Sequence, residues 1–259
     1  MELPVDRWYP AIFKRHSRRT YLAQVPEEDK LARLDQVCRE FRPFPDVRSQ
    51  LVRRSPETVF KGLVGHYGRV KGAPMYMAFI GEMSSGRVQE ATGYIGEGII
   101  LEATALGLAT CWVGGFFRPE GVRSQIDIRE EEKVLSVTPV GYAPLEKTRQ
   151  EKIMSGLVRS RLRKPLAKLV SGEMPAPWME KALEAARLAP SAQNRQPWRF
   201  RIEKEAVVIA ADKSSTTSSI SKRLDCGIAM LHFELGARVA GVAGKWEILS
   251  SPDVARFIF

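Results

Sequence analysis

Two apolar stretches of the sequence resemble each other and indicate how the chain is organised. Gly93–Trp112 reads GYIGEGIILEATALGLATCW, and Gly227–Trp246 reads GIAMLHFELGARVAGVAGKW. When Gly93 is aligned with Gly227, the apolar positions of the two stretches largely coincide at helical spacing. We call this alignment the repeat shift. Each stretch is typical of a long apolar helix that ends at a glycine and leads into a strand.

A weaker similarity lies upstream of each stretch. RRTYLAQVPEEDKLARLDQVC starts at Arg18, and RKPLAKLVSGEMPAPWMEKALEAA starts at Arg163. Each contains basic residues, a short extended piece, a turn and then a helical pattern. Two similarities in the same order favour a duplicated unit over a chance match of common residues. We therefore predict two fused half-units, 1–150 and 151–259, that form an internal pseudo-dimer.

Helical and strand patterns are mixed along both halves, which predicts an α+β fold with a mixed or antiparallel sheet flanked by helices. The segment that follows Arg39 is predicted to be irregular. Besides the two long helices, of which the first ends at Leu106, and a short helix after Val113, the predicted helices are Asp6–Lys14, Glu27–Arg39 and Trp178–Leu188. The predicted strands are Met75–Ile80, Thr110–Val113, Val134–Val140, Arg199–Arg201, Ala206–Ala210 and Lys245–Leu249.

The composition excludes several classes of protein. No apolar run reaches the roughly 20 residues that span a bilayer, and the N-terminus lacks a signal-peptide layout, so we expect a soluble, cytoplasmic protein. The three cysteines, Cys38, Cys111 and Cys226, lack metal or redox spacing and are expected to be buried, and no metal site is predicted. Neither GxGxxG after a strand nor GxxxxGK[ST] occurs.

The net charge of +10 raises the possibility of a nucleic-acid partner. Much of the excess is local, because residues 145–168 hold eight Lys and Arg against two Glu. No nucleic-acid-binding signature accompanies this segment. A solvated connection or a small phosphate site explains the charge as well, and we expect no nucleic-acid partner.

Three polar stretches stand out from the scaffold. They are a basic turn, Lys14–Arg19 (KRHSRR), a strand end PVGY that precedes Lys147-Thr148-Arg149, and an amide loop, Ala189–Trp198 (APSAQNRQPW). Arginine offers fixed donors that match a phosphate bidentately. Each basic cluster alone is more simply a solvated face, but together they favour an anionic ligand.

These motifs resemble those of the nitroreductase family of FMN-dependent oxidoreductases. RHSRRTY is similar to the family's N-terminal basic motif, APSAQNRQPW to its APS-x-x-N-x-QPW motif, GLATCWVGGF to the segment under the flavin, and PVGYAPLEKTR to its C-terminal strand. The resemblance implies the nitroreductase fold, in which two identical subunits share each flavin at their interface.

Each half of this sequence lacks what the other keeps. The first half reads REFRPFPDVRSQLV where the amide loop should follow its helix, while the second half lacks VGGF and has the degraded basic motif RSRLRKPL. The resemblance then implies a single-chain pseudo-dimer with one surviving flavin site. A monomer would suffice for that site, and a higher oligomer is not excluded.

The resemblance also implies roles for individual residues. Arg15, Ser17 and Arg19, with His16 beside them, would hold the FMN phosphate and ribityl chain, and Lys147 and Arg149 would close on the phosphate. Pro190, Ser191, Ala192 and Asn194 would meet the isoalloxazine from across the pseudo-dimer interface. A glycine pair, Gly114 and Gly115, would lie by the reactive edge, and Arg69 by the pyrimidine side. Trp112 and Gln196–Trp198 are interpreted as structural, and His232 as a satisfied core residue.

The implied function is NADH- or NADPH-dependent reduction of a small-molecule electrophile, such as a nitroaromatic or a quinone. No catalytic side chain is required, because the flavin carries the electrons. The alternative is a protein that binds flavin or another anion without turnover.

Overall fold

The computed structural model describes residues 1–60, 70–148, 151–153, 156, 162–174, 176–215 and 219–259. Its helices are α1 (Val5–Lys14), α2 (Glu28–Glu40), α3 (Glu57–Phe60), α4 (Val88–Ala105), α5 (Pro119–Arg123), α6 (Pro177–Arg187) and α7 (Lys222–Val239). Its strands are β1 (Val47–Val52), β2 (Met75–Glu82), β3 (Ala109–Thr110), β4 (Glu132–Gly141), β5 (Val170–Ser171), β6 (Trp198–Ile202), β7 (Ala206–Ala211), β8 (Lys245–Ile248) and β9 (Asp253–Ile258).

The strands form two sheets, which confirms the predicted α+β class. The first sheet has the order β1-β2-β4-β3 and is antiparallel throughout. The second has the order β5-β6-β7-β9-β8, and its one parallel pair is β5–β6. The register shifts between Phe79 and Ile80 in β2 and, in a similar place, between Ile209 and Ala210 in β7. The same irregularity in both central strands indicates one unit built twice.

The two long helices form the joint between the halves. Helices α4 and α7 are each 18 residues long, and the repeat shift places Val88 at Lys222 and Ala105 at Val239, so it superimposes both of their ends. They are buried along almost their whole length and pack against each other. The predicted pair of fused half-units is therefore confirmed. The division at residues 150 and 151 stays a prediction.

The prediction that the segment after Arg39 is irregular was wrong in part. It contains strand β1, which pairs with β2 from Val47 to Val52, and the single turn of α3. The polar Ser49 occupies a buried position between Val47 and Leu51, so the sequence of β1 lacks a clear apolar alternation. Pairing with the buried strand β2 supplies the hydrogen bonds that local propensity does not predict.

Strand β3 is shorter than predicted. It ends at Thr110, because the next backbone N–H, of Cys111, donates to the Thr138 hydroxyl (3.1 Å) instead of to a strand. Pairing resumes only at a bridge between Val113 and Val137. Backbone pairing is thus interrupted at Cys111 and Trp112 and is restored at Val113, directly before the glycine pair.

The remaining predictions about composition concern the cysteines and the membrane. All three cysteines are buried, as predicted, and none forms a disulfide. No helix in the described ranges has the length and apolar character needed to cross a bilayer.

Candidate functional site

The basic turn lies beside the end of β3. The backbone N–H of Arg18 donates to the Thr110 carbonyl (2.9 Å), and Ser17 forms a parallel bridge with Thr110. The glycine pair begins four residues after Thr110, at Gly114. The fold thus places the basic turn beside Thr110, four residues before the glycine pair, although the two motifs lie far apart in the sequence.

Arg15, the second residue of the basic turn, lies at the C-terminus of α1. Its backbone N–H donates to Ala11 (2.8 Å) and caps the helix. Its side chain is only 7% exposed, and its Nε lies 3.5 Å from Glu97 Oε1 in α4. That Nε has no hydrogen-bond partner in the described part of the chain. A buried guanidinium with unused donor capacity is a feature of anion sites.

Glu151 holds the other end of the basic turn. Its Oε1 accepts the backbone N–H groups of Arg19 (2.7 Å) and Thr20 (3.2 Å) and lies 3.4 Å from Arg18 Nε. Burial raises the pKa of Glu151, but the N–H groups of Arg19, Thr148 and Thr20 outweigh burial and lower it to about 2. The buried Arg18 is therefore structural, and Glu151 joins the basic turn to the segment that carries Lys147.

His16 reports the positive charge at this end of the site. Burial lowers its pKa most, while the Lys14 carbonyl, 3.0 Å from Nδ1, opposes the shift. Lys147, Arg18 and Arg15 lower that pKa further by repulsion. Lys147 thus lies close enough to the basic turn to act on His16.

The amide loop, Ala189–Trp198, has unusual backbone geometry. It contains a 3₁₀ turn at Ala192–Asn194 and three residues with left-handed φ, at Gln193 (56°), Asn194 (53°) and Gln196 (48°). Non-glycine residues rarely adopt this conformation, and those that do cluster at functional sites. The Ser191 hydroxyl accepts the N–H of Gln196 (2.9 Å) and closes the loop.

Asp225, near the start of α7, holds the amide loop in place. Its carboxylate accepts the Ala192 N–H (3.0 Å) and pairs with Arg195 Nε (2.6 Å). Burial raises the pKa of Asp225 to about 6, although Arg195 and the Ala192 N–H act in the opposite direction. The sequence offers one signal for such a residue, since a carboxylate within an apolar helix requires a partner.

Arg163, from the degraded second basic motif, also contacts the amide loop. Its Nη1 donates to Asn194 Oδ1 and its Nη2 to the Leu188 carbonyl, both at 3.2 Å. Burial, followed by the charges of Arg15 and Arg187, lowers the pKa of Arg163 to about 10. Arg15 and Arg163 thus come from different halves and act on each other near Asn194.

The glycine pair meets the second half directly. A Cβ on Gly114 would lie 3.2 Å from Ile220 Cδ1, and one on Gly115 would lie 3.3 Å from Ser219 Oγ. The Ile220 carbonyl accepts from Arg195 Nη2 (2.9 Å), which ties this contact to the amide loop. The basic turn, the glycine pair and the amide loop therefore converge on one junction between the halves.

Two predicted site residues, Arg69 and Arg149, lie outside the described residues. The residues interpreted as structural are buried or bonded within the protein: Trp198 has no exposed surface, Gln196 accepts the Lys164 N–H (2.8 Å), and Trp112 Nε1 donates to Glu97 (2.7 Å). His232, also fully buried, contacts Ala185 and Glu97 and is a satisfied core residue, as predicted. The sequence interpretation missed Glu97, Glu151, Asp225 and Arg163 as site residues.

One known structure shares this fold over nearly the whole chain, and others are similar to part of it. A putative nitroreductase from Thermotoga maritima has a TM-score of 0.64 and 21% identity, over 97% of this chain and 93% of that chain. A nitroreductase family protein from Clostridium difficile (TM-score 0.48, 21% identity) covers 64% of this chain and 98% of its own. A nitroreductase with bound FMN from Desulfitobacterium hafniense (0.46, 18%) covers 54% and 91%. No curated protein matches the sequence.

The family assignment comes from the sequence itself. The family described as "Putative TM nitroreductase" matches residues 7–237, which include the basic turn, the glycine pair, the amide loop and most of both long helices. The match therefore extends across both half-units and the junction between them. The chain belongs to this nitroreductase family.

Proposed function

We propose that the protein is an FMN-dependent oxidoreductase that uses NADH or NADPH to reduce small electrophiles such as nitroaromatics or quinones. The observation that carries the proposal is the convergence of the basic turn, the glycine pair and the amide loop on one junction. Sites between domains are common places for cofactors.

The residues at the junction fit an anionic flavin. Arg15 has an unused buried Nε, and Lys147 adds positive charge beside His16. We propose that Arg15, His16, Ser17, Arg19, Lys147 and Arg149 hold the phosphate and ribityl chain. Pro190, Ser191, Ala192 and Asn194 would face the ring, Gly114 and Gly115 its reactive edge, and Arg69 its pyrimidine side. A bound flavin would supply the electron transfer.

The chain's own contribution is binding and orientation. The glycine pair carries no side chain, so the backbone there can lie close to a planar ligand. Asp225 and Arg163 hold the amide loop by contacts within the protein, and a loop held in this way loses less entropy on binding a ligand.

The pseudo-symmetric counterpart of the junction is a cleft that lacks parts of a flavin site, which supports one flavin per chain. It has a volume of about 810 Å³, and its lining includes Ser85, Gly86 and Leu249. The repeat shift relates these residues to Ser219, Ile220 and Gly115, so the cleft is the pseudo-symmetric counterpart of the junction. An ion pair between Asp46 and Arg87 (2.5 Å) lies in this cleft, and the first half has no amide-loop sequence to complete a flavin site there.

Identification of the cofactor tests the proposal. The purified full-length chain is reconstituted with FMN, titrated for stoichiometry, and then treated with NADH or NADPH without oxygen. One tightly bound FMN per chain that bleaches with either nucleotide is the expected result. Bound FMN that never bleaches would favour the alternative, an anion-binding protein without turnover, and absence of FMN binding would overturn the proposal.

A further inference from the structure

A single buried carboxylate connects the basic turn to the centre of the molecule. Glu97 of α4 has no exposed surface. Its Oε2 accepts from Trp112 Nε1 (2.7 Å), and its Oε1 lies 3.0 Å from His232 Nε2 of α7 and 3.5 Å from Arg15 Nε. Arg15 follows α1, Trp112 follows β3, and His232 lies within α7. Glu97 therefore joins three separate parts of the fold.

The internal repeat provides a comparison for this cluster. The repeat shift places Glu97 at Leu231 and His232 at Gly98. Trp112 corresponds to Trp246, whose Nε1 lies 3.1 Å from a different carboxylate, Glu234. The cluster around Glu97 therefore has no counterpart at the equivalent described positions. It exists on the side of the molecule that keeps the basic turn.

The contact between Glu97 and Arg15 is electrostatic and leaves donors available. At 3.5 Å the two groups attract each other, but the Arg15 Nε makes no hydrogen bond within the described part of the chain. A guanidinium has five N–H donors in a fixed fork, so a carboxylate at one edge orients the others. The contacts from Trp112 and His232 keep the carboxylate itself in place.

We propose that Glu97 is a positioning residue that aims the Arg15 guanidinium at the anionic group of the cofactor. The inference rests on the proposed function, because the anionic group is that of FMN. Loss of the carboxylate leaves the guanidinium buried without its counter-charge and without a fixed direction. Glu97 thus acts on the ligand only through Arg15.

A double-mutant cycle on the full-length chain tests this dependence. The FMN dissociation constant is measured by fluorescence quenching for the unchanged chain, Glu97→Gln, Arg15→Met and the double variant. Each single substitution should weaken FMN binding about tenfold or more, the loss of one charged hydrogen bond. The double variant should lie within about twofold of Arg15→Met, because the residues act as a unit.

Matched variants separate positioning from general stability. Glu234→Gln removes another buried carboxylate, bonded to Tyr94 (2.7 Å), and should lower stability while leaving FMN affinity unchanged. If Glu97→Gln does not fold, His232→Asn replaces it in the cycle, because it releases Glu97 from α7. Additive losses, or no loss in the Glu97 or His232 variant, would overturn the inference. Failure of the unchanged chain to bind FMN would instead overturn the proposed function.

Discussion

Gly93 of α4 and Gly227 of α7 make the same contact in opposite directions. A Cβ on Gly93 would lie 2.0 Å from the Leu224 carbonyl oxygen, and a Cβ on Gly227 would lie 2.0 Å from the Glu90 carbonyl oxygen. The repeat shift that aligns the two glycines also aligns Glu90 with Leu224. This reciprocity is the signature of an isologous interface, here enclosed within one chain.

Alanine at either glycine should force the two long helices apart. Gly93→Ala and Gly227→Ala should each lower the free energy of unfolding by about 1–3 kcal/mol or more, the usual cost of overpacking. Urea denaturation measures the change. Gly86→Ala is the control, because nothing lies within 4 Å of its Cβ, and its effect should stay within about 0.5 kcal/mol. Two unaffected glycine variants would contradict the close crossing.

Arg15→Ala should weaken FMN binding while the fold persists. Charged hydrogen bonds contribute roughly 1.5–3 kcal/mol, so the dissociation constant should rise about tenfold to hundredfold. We expect the same of Arg149→Ala. Arg7→Ala is the control. Arg7 lies in α1, the helix that Arg15 caps, and its side chain pairs with Glu102 (2.6 Å). Equal FMN retention in the Arg15 and Arg7 variants would remove Arg15 from the site.

Cofactor stoichiometry should distinguish the junction from the opposite cleft. The unchanged chain should bind one FMN, and Gly86→Trp, which fills the cleft, should still bind one. Gly115→Trp should bind none, because its side chain would meet Ser219 and Ile220 at the junction. The ratio of flavin to protein absorbance, read after gel filtration, measures this. Two FMN per chain, or loss of FMN in Gly86→Trp, would refute the assignment.

Glu151 should make the free energy of unfolding depend on pH in the acid range. Its pKa is about 2 in the folded chain, below the ordinary value of 4.5 expected in the unfolded chain. Its contribution is therefore complete above about pH 4.5 and disappears as the pH falls towards 2. Glu151→Gln should cost about 1.5–3 kcal/mol at pH 7, and the difference should shrink across that window.

The matched control for this acid dependence is Glu146→Gln. The Glu146 side chain is 89% exposed, and the residue contacts Arg18 through its backbone carbonyl (3.0 Å), which the substitution retains. The stability of this variant should follow that of the unchanged chain at every pH. A Glu151 variant with the same pH profile as Glu146→Gln would show that the Glu151 carboxylate does not stabilise the basic turn.

The long helices could be predicted from sequence because their pattern is local. The apolar spacing and terminal glycine of α4 and α7 are contained in one continuous stretch each and need no knowledge of the rest of the chain. Strand β1 could not be predicted in this way, because what defines it is its pairing with β2 and not its own composition.

The same distinction holds for the site. The amide loop could be recognised because its motif consists of consecutive residues. The roles of Glu97, Glu151 and Asp225 depend instead on partners far along the chain. Glu151 lies 132 residues from Arg19, and Asp225 lies 33 residues from Ala192. In the sequence, Arg163 resembles a remnant of a lost motif. Only the fold shows that it contacts Asn194.

Covalent fusion has a consequence for how this molecule can change. When two identical subunits form an interface, one gene encodes both surfaces, and each substitution appears twice. Here Glu97 and Leu231 are encoded by different codons, as are Gly98 and His232. Selection can therefore change one face of the interface without changing the other. A fused duplicate of a symmetric ancestor can in this way acquire two sides with different roles.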